Sequence, residues 1–550
     1  MQPRFVIESL WEAKMGKATL YFFITAFVLF MSGCGSQSQN TTKCTNCGPI
    51  TAVPVSLTVT DAPPAGVTVL FFQLSISAAT LTSSSGDSVS LLPTNNGISE
   101  PIPVNVTQLQ TDSAFLGTGP VPPGTYTGLS VTFSGSSQLT IYNGSGAAIG
   151  SCSNNSVCQL TPVPAPLTLA FPSAGASSTA PFPVDLSLNS PVAFKLDIHL
   201  DTVIQSDLAV NLGATNGVTI SELPTPPSGA PVSALGHMIG TIQSVSSTAS
   251  PNEFVLQTGD GWNFTIDVGS NTTYSNFPSS ACSTETFSCL ASQQIVKVEL
   301  SLQTGGTLLA STVKYLQPAG QMVVEGNIIR LSPPGGNTLM DLIVQQGPPT
   351  SGTNAIPFGQ RVTVTVPSTG VTYAVDSGSF TLPSGLSFTS AADLAVGQEV
   401  SVVVQGSVTT SGSGSSTPWT GPAVTTFTTN SITLEPSQIT GTVGTVDTAD
   451  LNFTFATFPN FFVPPAASAS PTLSPFTFAV QTTSGTTFTN LSPDSIQGLA
   501  ANDVVSVQGW LFLVPGPDNI ACPVPIYGCS VYPEIAAETV VGRPGPTPLF

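Results

Sequence analysis

Charge is scarce in this sequence. Ten Lys and Arg and 29 Asp and Glu make up 7% of its 550 residues, against about 25% in ordinary soluble chains. The ten basic residues form no cluster, so no nucleic-acid partner is expected, because phosphate contacts need grouped Lys and Arg. Histidine is almost missing, with only His199 and His237 to serve as base or metal ligand. No G-x-S-x-G nucleophile elbow occurs. No apolar run reaches the roughly 20 residues of a membrane-spanning helix; Leu20–Met31 stops at 12. What is present is apolar and turn-rich. Apolar residues make up 41%, with 30 Phe, too much for a disordered chain. The 50 Gly and 49 Pro are spread throughout, as in many short strands joined by turns. The solvent face must then be built from Ser, Thr, Asn, Gln and Gly. The net charge of −19 reads as solubility at a surface.

The apolar run Leu20–Met31 has the length of a signal-peptide core and follows Lys14 and Lys17. Met31-Ser32-Gly33-Cys34 then resembles the lipobox of bacterial lipoproteins. The resemblance implies cleavage before Cys34 and acylation of its thiol and amine, so that the mature chain is held to a membrane by an N-terminal lipid. Gly35, where Asp would retain a lipoprotein at the inner membrane, implies the outer membrane by the same resemblance. Glu8 and Glu12 fit poorly in a basic leader, and translation from Met15 would place Met-Gly-Lys directly before the run.

Apart from Cys34, eight cysteines remain in four close pairs: Cys44/Cys47, Cys152/Cys158, Cys282/Cys289 and Cys522/Cys529. In an exported chain this predicts local disulfides. A loop of about eight residues corresponds to roughly 2.5 kcal/mol of closure entropy. Such bridges pin excursions between strands. Cys44-Thr45-Asn46-Cys47 also has the redox C-x-x-C spacing, but its polar surroundings lack the helix N-terminus that stabilises a thiolate.

Strand patterning begins after a polar tether (34–54). Val55-Ser56-Leu57-Thr58-Val59-Thr60 alternates with period two and Asp61-Ala62-Pro63-Pro64 ends it. Pro122-Pro123-Gly124-Thr125-Tyr126 is a turn feeding Leu129–Phe133. In Ala193–Leu200, Phe194, Leu196, Ile198 and Leu200 share one face, and Lys195, Asp197 and His199 share the other with Asp201. Strand-Thr-Asp-Ala-Pro, Pro-Pro-Gly-Thr-Tyr and a late alternating strand together resemble the bacterial lipoprotein family called domain of unknown function 4382. The resemblance implies a β-sandwich over 55–222 and no established activity.

A linker over 223–235 contains Pro-Thr-Pro-Pro-Ser-Gly-Ala-Pro. Beyond it the chain repeats, in units 236–318, 319–436 and 437–550. Ile239-Gly240-Thr241, Glu325-Gly326-Asn327 and Thr440-Gly441-Thr442 open the units, with the glycines 86 and 115 residues apart. Each unit then has a strand with a Thr-aromatic step (264–274, 362–373, 476–488), a second run (295–300, 396–406, 502–509) and a short strand near Val313, Ile432 or Val540. Three co-linear matches signal a repeat. The order resembles domain of unknown function 5666, which implies small β-barrel-like modules; the glycine would permit close backbone approach. The predicted fold class is all-β: a sandwich, three barrel-like modules and a signal-peptide helix.

Catalytic groupings are sparse, and no catalytic residue, metal or cofactor is predicted. Asp197, His199 and Asp201 at alternate strand positions, roughly 6–7 Å apart, could present metal ligands or form a solvated face. His237 reads as a surface residue. Gly86-Asp87-Ser88-Val89 has the look of a GDSL-type nucleophile block without its partner His. Glu299, Glu325 and Glu399 could supply a glycosidase pair or be structural. Trp262 and Trp419, in turn-like contexts, and Phe461 and Phe462, in an apolar loop, are candidate binding residues for a glycan or an envelope protein; otherwise they cover their own cores. The preferred expectation is a non-enzymatic, lipid-anchored binding or scaffold protein of the cell envelope. The alternatives are a secreted hydrolase using carboxylates and a redox or metal module.

Overall fold

The computed structural model describes residues 53–543 apart from short gaps and the longer stretches 93–100, 172–180, 224–230, 349–355, 412–423, 458–477 and 516–530. Cys34, Cys44, Cys47, Trp419, Phe461, Phe462, Cys522 and Cys529 lie outside the described residues, as do the predicted signal-peptide helix and nearly all of the tether.

The N-terminal part is a β-sandwich. Its strands are β1 (Val53–Ala62), β2 (Val67–Ser83), β3 (Ser88–Ser90), β4 (Ile102–Asn105), β5 (Ala114–Val121), β6 (Gly124–Asn143), β7 (Ser156–Leu160), β8 (Leu167–Phe171), β9 (Val184–Leu186), β10 (Val192–His199) and β11 (Val218–Leu223). One sheet runs β11-β10-β1-β5. The other runs β3-β2-β6-β7, with β4 on β2 and with β8 and β9 on β6. The long strands β2 and β6 stay paired from Val67↔Asn143 to Ser83↔Tyr126 through several register shifts, each a local bend of the sheet. Period-two alternation drives the layering. Leu74 and Ile76 from one sheet, and Phe194, Leu196 and Ile198 from the other, are buried in one core. The Tyr126 hydroxyl closes the Pro-Pro-Gly-Thr-Tyr turn by donating to the Pro122 carbonyl at 2.9 Å. Strand β10 ends at His199, and Leu200–Val203 forms a single helical turn, α1. Asp201 is therefore not on the strand face predicted for it, because burial of Leu200 and Val203 turns the chain there.

Three barrels follow. The first has β12 (Pro231–Ser246), β13 (Asn252–Thr258), β14 (Asn263–Ser275), β15 (Ile295–Gln303) and β16 (Leu308–Gln317), closed in the order β12-β13-β14-β16-β15. Strand β11 ends at Leu223 and β12 begins at Pro231, so strand occupies both ends of the predicted linker over 223–235, whose residues 224–230 lie outside the described ones. The second has β17 (Met322–Leu331), β18 (Thr338–Gln346), β19 (Arg361–Val366), β20 (Thr372–Val375), β21 (Glu399–Ser411) and β22 (Val424–Glu435). The third has β23 (Ser437–Asp447), β24 (Asn452–Thr457), β25 (Phe478–Gln481), β26 (Thr487–Thr489), β27 (Val504–Pro515) and β28 (Val531–Arg543). Their ladders close through β19–β22 and β25–β28.

The connectivity is the same in all three. The third strand is continuous in β14, where its pairing with β16 shifts register between Val268 and Thr273. In the other barrels it is divided into β19 and β20, or β25 and β26, and both halves pair parallel to the last strand. The Thr-aromatic step is the second half. Tyr274 lies opposite Val313, Tyr373 opposite Ile432 and Phe488 opposite Val540. The opening glycines sit where the first strand crosses its neighbour. A Cβ on Gly240, Gly326 or Gly441 would press on the carbonyl oxygen of Gln257, Ile343 or Thr457.

Candidate functional site

A cluster of charged residues, in a chain that has few, occupies the seam between the first two barrels. Barrel one contributes bases: His237 from β12, Lys297 from β15 and Lys314 from β16. Barrel two contributes acids: Glu325 from β17, Asp376 just after β20, Glu399 from β21 and Glu435 at the end of β22. Lys297 Nζ lies 2.5 Å from Glu435 Oε2 and 3.5 Å from Asp376 Oδ2, and Lys314 Nζ lies 2.6 Å from Asp376 Oδ1. His237 Nε2 donates to Glu325 Oε1 at 2.7 Å. The Gln346 amide adjoins the same imidazole nitrogen and donates to Glu325 Oε1 at 3.2 Å, and Ser401 donates to Oε2 at 3.4 Å.

Burial in a low-dielectric seam competes with the facing charges to set each pKa. Burial would lower the Lys297 ammonium, but Glu435, Glu325 and Asp376 outweigh it and hold its pKa well above the usual value. Burial would raise Glu325 and Asp376; the facing bases and hydrogen bonds keep both below the ordinary carboxylate range. For Glu399 burial wins, reinforced by the Glu325 charge, so its carboxyl is held well up and shares its proton with Glu325. Burial also lifts Glu435, to about 7, against the pull of Lys297. The network is one of salt bridges plus one shared proton, and each charge has a partner, as burial of a charge demands.

Beside this seam lies a cavity of about 160 Å³ to which all four modules contribute. The sandwich supplies Gln73 and Asn105, barrel one His237 and Trp262, barrel two Gln345 and Glu399, and barrel three Gln438 and Gln508. Several of these side chains are fixed by neighbours. Asn105 donates to Gln345 Oε1 at 2.9 Å, and Gln345 donates to the Leu70 carbonyl at 2.5 Å and to Asn327 Oδ1 at 2.6 Å.

Of the residues predicted from sequence, Trp262 is 6% exposed and joins the sandwich's buried cluster as well as lining the cavity. It is not an exposed ring, and the core that it covers is a neighbour's. His237 is not an exposed surface residue but a partly buried partner of the fully buried Glu325, because the seam covers most of its side chain. Glu325 and Glu399 come together, whereas Glu299 is exposed. Lys195, Asp197 and His199 share the half-buried side of β10, with His199 Nε2 at 3.3 Å from Thr219 Oγ1. Cys152–Cys158 and Cys282–Cys289 are disulfide-bonded. Sequence reasoning missed Lys297, Lys314, Asp376 and Glu435; their one signal was charge inside strands of a chain that has little of it.

The sandwich and the first barrel have counterparts among known families. Residues 52–218 match the model of a domain of unknown function, DUF4382. Residues 239–314 match that of a second domain of unknown function, DUF5666. The order is thus DUF4382 followed by DUF5666, and two further barrels of the DUF5666 region's strand order come after them. No curated protein matches the chain. Among solved structures, a deletion mutant of the single-stranded DNA binding protein from Thermus aquaticus aligns at 11% identity and a TM-score of 0.14, over 42% of this chain and 96% of that one.

Proposed function

We propose that the chain is a cell-envelope protein, anchored at the outer membrane through lipid on Cys34, whose β-modules act together as a non-enzymatic scaffold and binding surface for a glycan or another envelope protein. One observation carries the scaffold half: the modules bond to one another through buried polar side chains. Thr140 donates to the Gly359 carbonyl at 2.8 Å, Gln345 to the Leu70 carbonyl, and Lys297 pairs with Glu435. Such contacts hold a surface assembled from several modules in one geometry, which a string of independent domains does not.

Anchoring is tested by radiolabelled palmitate. The expected result is label in the wild-type product and none in Cys34→Ala; equal label in both sinks the envelope reading. Binding is tested on a glycan array and by pull-down with envelope extract, and two empty results remove the binding half. The Glu325–Glu399 pair favours a second reading, a carboxylate-dependent hydrolase. Two carboxyls in direct hydrogen-bond contact, however, leave no room for the sugar oxygen that a glycosidase pair flanks. Their bonds to His237 and Gln346 fit a structural seam better.

A further inference from the structure

The cavity shared by the four modules has a lining with an unusual chemical balance. Six amides reach it: Gln73, Asn105, Gln345, Gln346, Gln438 and Gln508. Each amide can both donate and accept in a fixed plane. No Lys or Arg lines it. Its one carboxyl, Glu399, has its pKa held up by burial and by the neighbouring Glu325. The indole of Trp262 and the ring of Phe264 form part of the wall. Trp262 Nε1–H has no acceptor, and the Gln73 side chain has no hydrogen-bond partner, among the described residues.

The one basic group in the lining, His237, is already paired with Glu325, so an ionic ligand would find no free countercharge here, and a purely apolar one would leave the Gln73 amide and the Trp262 N–H unsatisfied. A ligand with several hydroxyls and a C–H face satisfies both surfaces, its hydroxyls bonding the Gln73 amide and the Trp262 N–H and its C–H face lying on an aromatic ring. The free volume of about 160 Å³ holds several waters, the scale of one ring with its hydroxyls. We infer that this cavity binds a neutral saccharide, either a single ring or the terminal residue of a chain. The inference rests on the binding half of the proposed function and locates it. Because each module supplies part of the lining, the site exists only in the assembled molecule.

The test is calorimetric titration of the full chain with glucose, galactose, N-acetylglucosamine and cellobiose, beside glucuronic acid and glucosamine as charged counterparts. At least one neutral sugar should bind saturably. Trp262→Phe, which keeps the ring and removes the N–H, and Gln73→Leu should each weaken it by about tenfold. Gln243→Leu, at an exposed amide of barrel one, should bind as the wild type does. Failure of every neutral probe up to about 10 mM, stronger binding of a charged counterpart, or unchanged affinity in both cavity variants overturns the inference. Unchanged affinity in the variants leaves a glycan-binding protein with its site elsewhere. Failed palmitate labelling removes the anchor and leaves the cavity untouched.

Discussion

At Gly326 the missing side chain would point at the carbonyl oxygen of Ile343, on the strand paired alongside. Alanine there must push two barrel strands apart. Gly326→Ala should cost about 1–3 kcal/mol by overpacking, read as a lower urea midpoint. Gly305→Ala, with open space around its Cβ position, should stay within about 0.5 kcal/mol. This glycine was legible in the sequence because its neighbours recur at Gly240 and Gly441. The protonation of Glu399 was not, since it depends on Glu325 arriving from another strand. Its folded pKa is raised above the ordinary value of 4.5. The stability it contributes is therefore full below about pH 4.5 and is lost as pH rises through the raised value. Glu399→Gln keeps the hydrogen bond to Glu325 without the titration. Urea midpoints measured from pH 5 to 9 should decline with pH in the wild type more than in this variant. Parallel slopes would show that Glu399 does not hold the proton.

Pairs of elements explain why the charges lie where they do. Strands β15 and β16 present lysines toward the ends of β20 and β22, which present Asp376 and Glu435. One barrel is basic on this seam and the other acidic, so the contact fixes which faces meet. Removing one partner leaves a buried charge. Lys297→Met should therefore cost about 3–5 kcal/mol, and Lys297→Met combined with Glu435→Leu should recover a large part of it. Denaturant unfolding of the two variants checks this; a double variant no better than the single one would assign the loss to packing. The repeat was readable at this scale because each barrel needs the same pairing, with the aromatics of 264–274, 362–373 and 476–488 falling opposite Val313, Ile432 and Val540. The seam was unreadable because its partners are far apart in sequence, 138 residues for Lys297 and Glu435, and the repeat pattern does not say which faces of successive barrels touch.

In the molecule as a whole, modules that look separable in sequence share buried side chains. Phe71 of the sandwich is fully buried in a cluster with Ile329 and Ile343 of barrel two, and its ring lies against Gly359. Trp510 and Phe512 of barrel three belong to the buried cluster of barrel two, and Trp510 stacks on Phe380 while its Nε1–H donates to the Asp376 carbonyl at 2.9 Å. With such contacts, opening one module exposes apolar surface of the next, which couples their unfolding. Calorimetry of the wild type should then show one transition spanning sandwich and barrels. Phe71→Ala deletes a large, fully buried apolar side chain at the contact between the sandwich and barrel two. It should cost about 3–5 kcal/mol and divide the transition in two as the sandwich is released. Leu81→Ala, inside the sandwich's own core, should cost about 2–5 kcal/mol and keep a single transition, because it weakens a module without cutting its coupling. If Phe71→Ala also unfolds in one step, the coupling runs through the polar contacts of Thr140, Gln345 and Asn105, and their removal becomes the decisive variant.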